Sequence, residues 1–202
     1  MKSNQILKIF GAVAVVIILL YSFLPGEKIP YEQSIADHRD GIDEFMKSDR
    51  DSPLADSLKQ RFNGLRYYPP KPDFKVKATL EMVPGNPTLV VTTNDGETRE
   101  YLKYAYAYFE LQGKEHRLTL LQPKDEGPES LFLPFGDATN GNETYGGGRY
   151  IDLEHDGKDR INIDFNLAYN PYCVYSIDYS CPLPPAENQL SIAIEAGEKN
   201  FF

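Results

Sequence analysis

Two cysteines carry the most reactive side chains in the sequence, and they lie close together near its C-terminal end. Seven residues separate Cys173 from Cys181, and several prolines flank them. Because proline lacks a backbone N–H, this segment can form few hydrogen bonds of its own. In an exported chain such a pair predicts a disulfide, which would stabilise the fold by about 2.6 kcal/mol in the chain-entropy account. Free structural thiols, a metal site and a Cys173 nucleophile remain open as alternatives.

A glycine triplet is the second unusual feature. Gly146, Gly147 and Gly148 precede Arg149 and a predicted strand. This arrangement differs from a nucleotide-binding P-loop, which continues into Lys-Ser/Thr and a helix. Glycines let the backbone approach a neighbour closely, and the guanidinium of Arg149 can bind an anionic or polar ligand. The alternative is a glycine-rich corner in which Arg149 pairs with a local carboxylate.

Two carboxylates are candidates for general acid/base catalysis. Glu187 follows a run of prolines that stiffens its position, and Glu143 lies just before the glycine triplet. Together with Arg149 or Cys173 they would form the catalytic set of a small hydrolase-like enzyme.

Polar side chains concentrate around these segments, as in a pocket for a sugar or another small polar ligand. The same side chains would otherwise satisfy the backbone of an irregular loop. The candidate ligand-binding residues are Tyr145, Arg149, Asn166, Tyr169, Asn170 and Tyr175.

Composition argues against two further classes of partner. The three histidines, His38, His116 and His155, are scattered, and no Cys-x-x-Cys or His-x-x-x-His spacing occurs, so we predict no metal site. The net charge is −9 and no basic stretch offsets it, so nucleic acid is not an expected partner.

The N-terminus predicts a membrane anchor. Eighteen uncharged residues separate Lys8 from Glu27, and the apolar core runs from Ile9 to Leu24. At ~1.5 Å per residue in a helix, eighteen residues span roughly 27 Å, close to the ~30 Å hydrocarbon core of a bilayer. The lysines before it place the N-terminus in the cytoplasm and the rest of the chain outside, in a periplasm or at the cell surface. A cleaved signal peptide and a buried helix are the alternatives, but the sequence shows neither a clear cleavage site nor a polar helix face.

The remaining chain divides into a helical region and a β-rich region. Residues 27–64 show helical spacing of apolar residues, and we predict two helices, the second starting at Ser52 and Pro53 and stopped by Asn63-Gly64. Residues 65–202 switch to strand-like alternation.

Three hairpins are predicted in the β-rich region. Their turns lie at residues 94–96, 112–114 and 156–157, the last joining strands at 150–155 and 158–165. Residues 190–194 predict a last strand. The fold class is therefore mainly β (α+β), a small antiparallel barrel or sandwich of about seven to nine strands with two N-terminal helices.

Four sequence stretches resemble one known family. They are Leu65-Arg66-Tyr67-Tyr68-Pro69, Leu131-Phe132-Leu133-Pro134-Phe135, Glu143 to Tyr150 with its triple glycine, and the cysteine-bearing segment that ends in Pro184-Pro185-Ala186-Glu187-Asn188. In this order they are similar to the bacterial and archaeal family catalogued as domain of unknown function 1684. The resemblance runs from about Tyr31 to Lys199 and implies no activity.

Three functional classes follow from these observations. The favoured one is a membrane-anchored, extracytoplasmic accessory module that binds a small polar ligand or associates with the cell envelope. The second is the hydrolase-like enzyme described above. The third is a cofactor-binding split barrel, for example for a flavin, which would need a phosphate-binding cluster of arginines and lysines.

Overall fold

The computed structural model of the chain describes residues 29–201. The expected anchor from Ile9 to Leu24 lies outside these residues. Within the described range, no helix combines the length and apolar character needed to cross a membrane. The chain divides into two units, with the boundary between Ser34 and Ile35. Of the first unit the structure describes residues 29–34, which include the start of the first helix.

Two helices lie at the start of the described chain. Helix α1 covers Tyr31–Ser48, and its apolar spacing buries Ile35 and Met46, as the periodicity indicates. Helix α2 is only Asp56–Lys59, so the longer helix predicted from Ser52 is wrong. The hydroxyl of Ser52 donates to the carbonyl of Met46 and accepts from the amide of Leu54, which ties the linker back to α1.

Within residues 29–201, seven antiparallel strands form one curled, half-barrel sheet. The strands are β1 (Lys75–Met82), β2 (Thr88–Thr92), β3 (Thr98–Leu111), β4 (Lys114–Pro123), β5 (Ser130–Phe135), β6 (Arg149–Glu154) and β7 (Arg160–Asp164). They follow the order β6-β5-β4-β3-β1-β7, and β2 pairs with the first half of β3. The mainly β fold class is confirmed at this level.

The first two predicted hairpins are confirmed. β2 and β3 pair across residues 94–96, and β3 and β4 pair across Gln112 and Gly113, both with positive φ. From the sequence we expect the second strand of the first hairpin at residues 97–101 and the first strand of the second hairpin at residues 104–111. In the structure these two segments form one continuous strand, β3. A β-bulge between Lys103 and Ala105 shifts the register there and hides the continuity in the sequence pattern.

The third predicted hairpin is wrong. β6 pairs with β5 and β7 pairs with β1, so the two strands occupy opposite ends of the sheet. The residues on either side of the turn hydrogen-bond other segments. The amide of His155 donates to the carbonyl of Glu129, and the carbonyl of Asp159 accepts from the amide of Leu80. The predicted last strand at residues 190–194 is also wrong, because that segment is irregular.

Alternation along the strands produces two apolar clusters on opposite sheet faces. The main core holds inward residues of all strands except β2, such as Leu120, Leu133 and Ile151. Their sequence neighbours face the other way, and the second cluster contains Tyr101, Leu121, Phe132, Tyr150 and Cys181, with Leu89, Tyr169, Cys173 and Tyr179 packed against it. The cysteine-bearing segment therefore covers the second face of the sheet.

Candidate functional site

The glycine triplet and the cysteine-bearing segment meet in the structure. Tyr150 and Tyr169 exchange two backbone hydrogen bonds of 2.9 and 3.0 Å, and the hydroxyl of Tyr150 donates to the carbonyl of Pro182. Gly148 has φ +87°, and a Cβ there would lie 2.5 Å from Pro184 Cγ and 2.7 Å from the carbonyl oxygen of Phe135. Close packing against the proline loop thus accounts for this glycine without a ligand.

Arg149 is fully buried. Its guanidinium donates to the carbonyls of Ile194, Ala196 and Glu198 at 2.5–3.0 Å and to the carboxylate of Asp137 at 2.9 Å. It therefore binds the C-terminal segment (residues 189–201) to the sheet. This geometry matches the alternative considered for Arg149, a structural residue paired with a local carboxylate. The guanidinium of Arg149 is therefore not available for the phosphate-binding cluster that a flavin-type split barrel would need.

Three more candidate ligand residues lie inside the protein. Asn166 is buried, and its side chain bonds both backbone groups of Lys71 and the carboxylate of Asp164. Asn170 and Tyr175 are buried around Glu198. These side chains form hydrogen bonds within the folded protein, which agrees with the alternative that they satisfy the backbone of an irregular loop.

Glu198 is the residue that sequence reasoning missed. One carboxylate oxygen accepts from the amide of Asn170 at 2.8 Å; the other accepts from the side chains of Asn170 and Tyr175. Burial, only partly offset by these bonds, raises the pKa of Glu198 to about 7. Nothing in the local sequence marks it as buried, because Glu195 lies three residues before it and Lys199 follows directly.

The two candidate catalytic carboxylates share no partner. Glu143 accepts from the hydroxyl of Tyr68 and pairs with Lys199, while Glu187 pairs with Lys103. The pKa of Glu143 is lowered by hydrogen bonds from Lys199 and Tyr68. For Glu187, burial opposes the lowering by Lys103 and Thr119, yet the pKa lies below its ordinary value. Both groups are therefore ionised acceptors within ion pairs, and neither has the raised pKa of a general acid.

The two cysteines are neighbours with free thiols. The amide of Cys173 donates to the sulfur of Cys181 at 3.3 Å, and the Cys173 thiol bonds the same sulfur. These contacts lower the pKa of Cys181 to about 7, whereas the pKa of Cys173 is raised, first by its thiol bond to Cys181 and then by burial. The hydrogen bond from the Cys173 amide favours a negative charge on the Cys181 sulfur.

Tyr145 and Tyr169 remain at the surface, half-buried. Tyr169 donates to Asp152 at 2.8 Å, and the exposed Tyr172 packs edge-to-face with Tyr179, with ring centroids 5.2 Å apart. We call these four residues, Asp152, Tyr169, Tyr172 and Tyr179, the tyrosine patch. Although Asp152 reaches solvent, the surrounding protein removes water from its carboxyl and raises its pKa.

No group of three or more His, Cys, Asp or Glu side chains within residues 29–201 is arranged to hold a metal ion.

The fold and these contacts define a curled antiparallel β-domain whose cysteine-bearing segment and C-terminal segment are bound to the sheet by buried polar side chains. The family described as "Protein of unknown function (DUF1684)" matches residues 60–199, and the chain belongs to this family. It is similar to the solution NMR structure of the uncharacterized protein from gene locus rrnAC0354 of Haloarcula marismortui. The two chains are 39% identical, with a TM-score of 0.67 over 84% of this chain and 94% of that one. No curated protein matches the chain.

Proposed function

We propose that this protein is a membrane-anchored, extracytoplasmic accessory module that binds a small polar ligand at the tyrosine patch. The anchor is the apolar run from Ile9 to Leu24, with the N-terminus in the cytoplasm. The expected ligand class is a saccharide of the cell envelope.

The tyrosine patch is the observation that supports ligand binding. Sugar rings present an apolar C–H face, which packs on aromatic rings, and hydroxyls, which donate to carboxylates. Tyr172 is 37% exposed and offers a ring, and Asp152 offers a partly desolvated carboxylate that Tyr169 orients. Tyr172 and Tyr179 lie next to the two cysteines in a proline-rich segment. Because the prolines restrict the backbone there, the two rings are held in position before a ligand binds.

The hydrolase-like alternative has less support. Glu143 and Glu187 belong to different ion pairs, and Arg149 is committed to carbonyls and Asp137. A binding module needs none of these groups to be reactive.

A binding experiment with matched variants tests the ligand site. The full-length protein in detergent micelles would be titrated with a panel of neutral di- and trisaccharides and followed by calorimetry and tyrosine fluorescence. Tyr172→Ala and Asp152→Asn should each weaken binding about tenfold or more. Tyr106→Ala, which removes a ring on β3 that packs against Arg117 of β4, is the control and should leave binding unchanged. A panel without a binder, or affinities that Tyr172→Ala does not alter, would contradict the proposal.

Protease accessibility tests the topology separately. In cells with a permeable outer layer, added protease should digest the β-domain, and the membrane-bound protein should retain its first residues. Recovery of a soluble mature form that begins near Gly26 would show a cleaved signal peptide instead.

A further inference from the structure

The Cys173–Cys181 pair has a geometry that goes beyond ligand binding. The sulfur of Cys181 accepts the thiol of Cys173 and the 3.3 Å bond from the Cys173 amide, and the amide of Tyr172 also points to it. Both amides belong to the start of a 3-10 turn, Tyr172–Val174, whose N–H groups favour a negative sulfur. The Cys181 sulfur therefore accepts hydrogen bonds from both the amide and the thiol of Cys173.

Two hydrogen bonds to Asn94 hold the backbone of Cys181. Its amide donates to the side-chain oxygen of Asn94 at 2.6 Å, and its carbonyl accepts from the amide of Asn94 at 2.9 Å. The positive charge of Arg99 adds to the preference for a thiolate at Cys181. Cys173 belongs to the 3-10 turn and hydrogen-bonds the hydroxyl of Tyr145.

The two thiols differ in access. Cys181 is 7% exposed, whereas Cys173 is only half-buried. A disulfide-bearing molecule would therefore meet Cys173 first. The buried Cys181, already in contact with it, is placed to accept the Cys173 proton and then to attack in turn.

From this arrangement we propose that Cys173 and Cys181 form a thiol–disulfide exchange site that reduces a disulfide of a partner molecule. Cys173 is the attacking thiol, and Cys181 is first its base and then the resolving thiol.

The exchange balances in two steps. In the first, the Cys173 sulfur attacks one sulfur of R–S–S–R′, its proton passes to the Cys181 thiolate, and R′–S⁻ leaves. In the second, R′–S⁻ takes the proton from Cys181, and the Cys181 sulfur attacks Cys173, which breaks the mixed disulfide and releases R–S⁻. The dithiol gives two electrons to the partner, and the products are the Cys173–Cys181 disulfide, R–S⁻ and R′–SH. A dithiol of the surroundings returns the pair to its reduced form.

The exchange site does not depend on a saccharide at the tyrosine patch, so either proposal can fail without the other. The Cys173 thiol already hydrogen-bonds the Cys181 sulfur, so the two side chains are neighbours before a disulfide forms. A permanent structural disulfide at the same position would instead resist reduction in the folded state.

Reaction with 5,5′-dithiobis(2-nitrobenzoate) tests the order of the two thiols. The reduced full-length protein in detergent micelles should release two thionitrobenzoate ions and retain no adduct, since Cys181 resolves the first one. Cys181→Ser should release one ion and keep a stable mixed disulfide on Cys173. Cys173→Ser should react at least about tenfold more slowly, because only the buried thiol remains. Circular dichroism of each variant checks that it is folded.

Two results would overturn the proposal. One is wild-type protein that retains two adducts, or single variants that react at equal rates while folded, which would show two independent thiols. The other comes from glutathione redox buffers without denaturant: a Cys173–Cys181 disulfide that stays oxidised in reduced glutathione until the chain unfolds is structural. Reversible interconversion in the folded protein is the result we expect.

Discussion

Glu198 predicts a specific pH dependence of stability. The residue is 1% exposed, and its two carboxylate oxygens accept three hydrogen bonds from Asn170 and Tyr175. The side-chain oxygen of Asn170 has no hydrogen-bond partner among the described residues. The hydrogen bonds from Asn170 and Tyr175 only partly offset the cost of removing water from the charged carboxylate. Burial therefore raises the pKa of Glu198 to about 7.

The sign follows from comparing the folded and unfolded chain. Below pH ~4.5 Glu198 is protonated in both states, and the stability of the neutral acid is fully present. As the pH rises from ~4.5 to ~7, the unfolded chain loses the proton while the folded chain keeps it, so the free energy of unfolding falls. Above pH ~7 the loss is complete. At ~1.4 kcal/mol for each tenfold change in proton affinity, the loss amounts to about 3 kcal/mol.

Glu198→Gln isolates this contribution, because glutamine resembles the neutral acid and cannot ionise. Urea unfolding of wild type and variant in detergent micelles, followed by circular dichroism from pH 4 to 8, gives both stabilities. Their difference should shift by about 3 kcal/mol in favour of the variant between pH 4.5 and 7. Asp43 and Asp152, whose pKa values burial also raises, cancel in the difference. A difference that does not change with pH in this window would refute the reasoning.

Three further substitutions test the buried contacts by their thermal unfolding. Arg149→Lys should destabilise the fold by about 3–5 kcal/mol, since lysine cannot replace the bonds to three carbonyls and Asp137; an unchanged melting temperature would point back to a ligand-binding arginine. Gly148→Ala should destabilise the fold by about 2 kcal/mol or more, because the added Cβ would lie 2.7 Å from the carbonyl oxygen of Phe135. Gly146→Ala should be near neutral, because the nearest atom, the Cα of Gly141, is 3.6 Å away. Equal effects of the two substitutions would contradict this reasoning. Asn188→Ala should cost about 2–3 kcal/mol, since the buried amide bridges β4 and β5 through three hydrogen bonds; a loss below ~0.5 kcal/mol would show that the strands pair without it.

Local patterns in the sequence were sufficient for most secondary structure. Helix α1 follows from apolar spacing, and β1 follows from alternation between residues 74 and 82. The turns at residues 94–96 and 112–113 contain the glycines that positive φ requires. β5 was missed because both of its faces are buried. Leu131 and Leu133 pack in the main core and Phe132 packs in the second cluster, so no alternation of apolar and polar residues is visible.

The candidate site was predicted only in part. The sequence indicated that the glycine triplet and the cysteine-bearing segment are special, and the structure brings them together at Tyr150 and Tyr169. It did not indicate that Arg149, Asn166 and Asn170 point inward. An arginine beside glycines has the same sequence signature whether it binds a ligand or buried carbonyls, because its partners at residues 194–198 lie more than forty positions away.

By itself, then, the sequence determined the elements that depend on neighbours in the chain: α1, the strands with regular alternation and the glycine turns. The tertiary structure decided the pairing of β6 with β5 and β7 with β1, and the irregular path of residues 190–194. It also decided that the Cys173 amide donates to the Cys181 sulfur and that Glu198 is buried. Each of these depends on contacts between distant residues and on the removal of water around a group, and neither is encoded in local spacing.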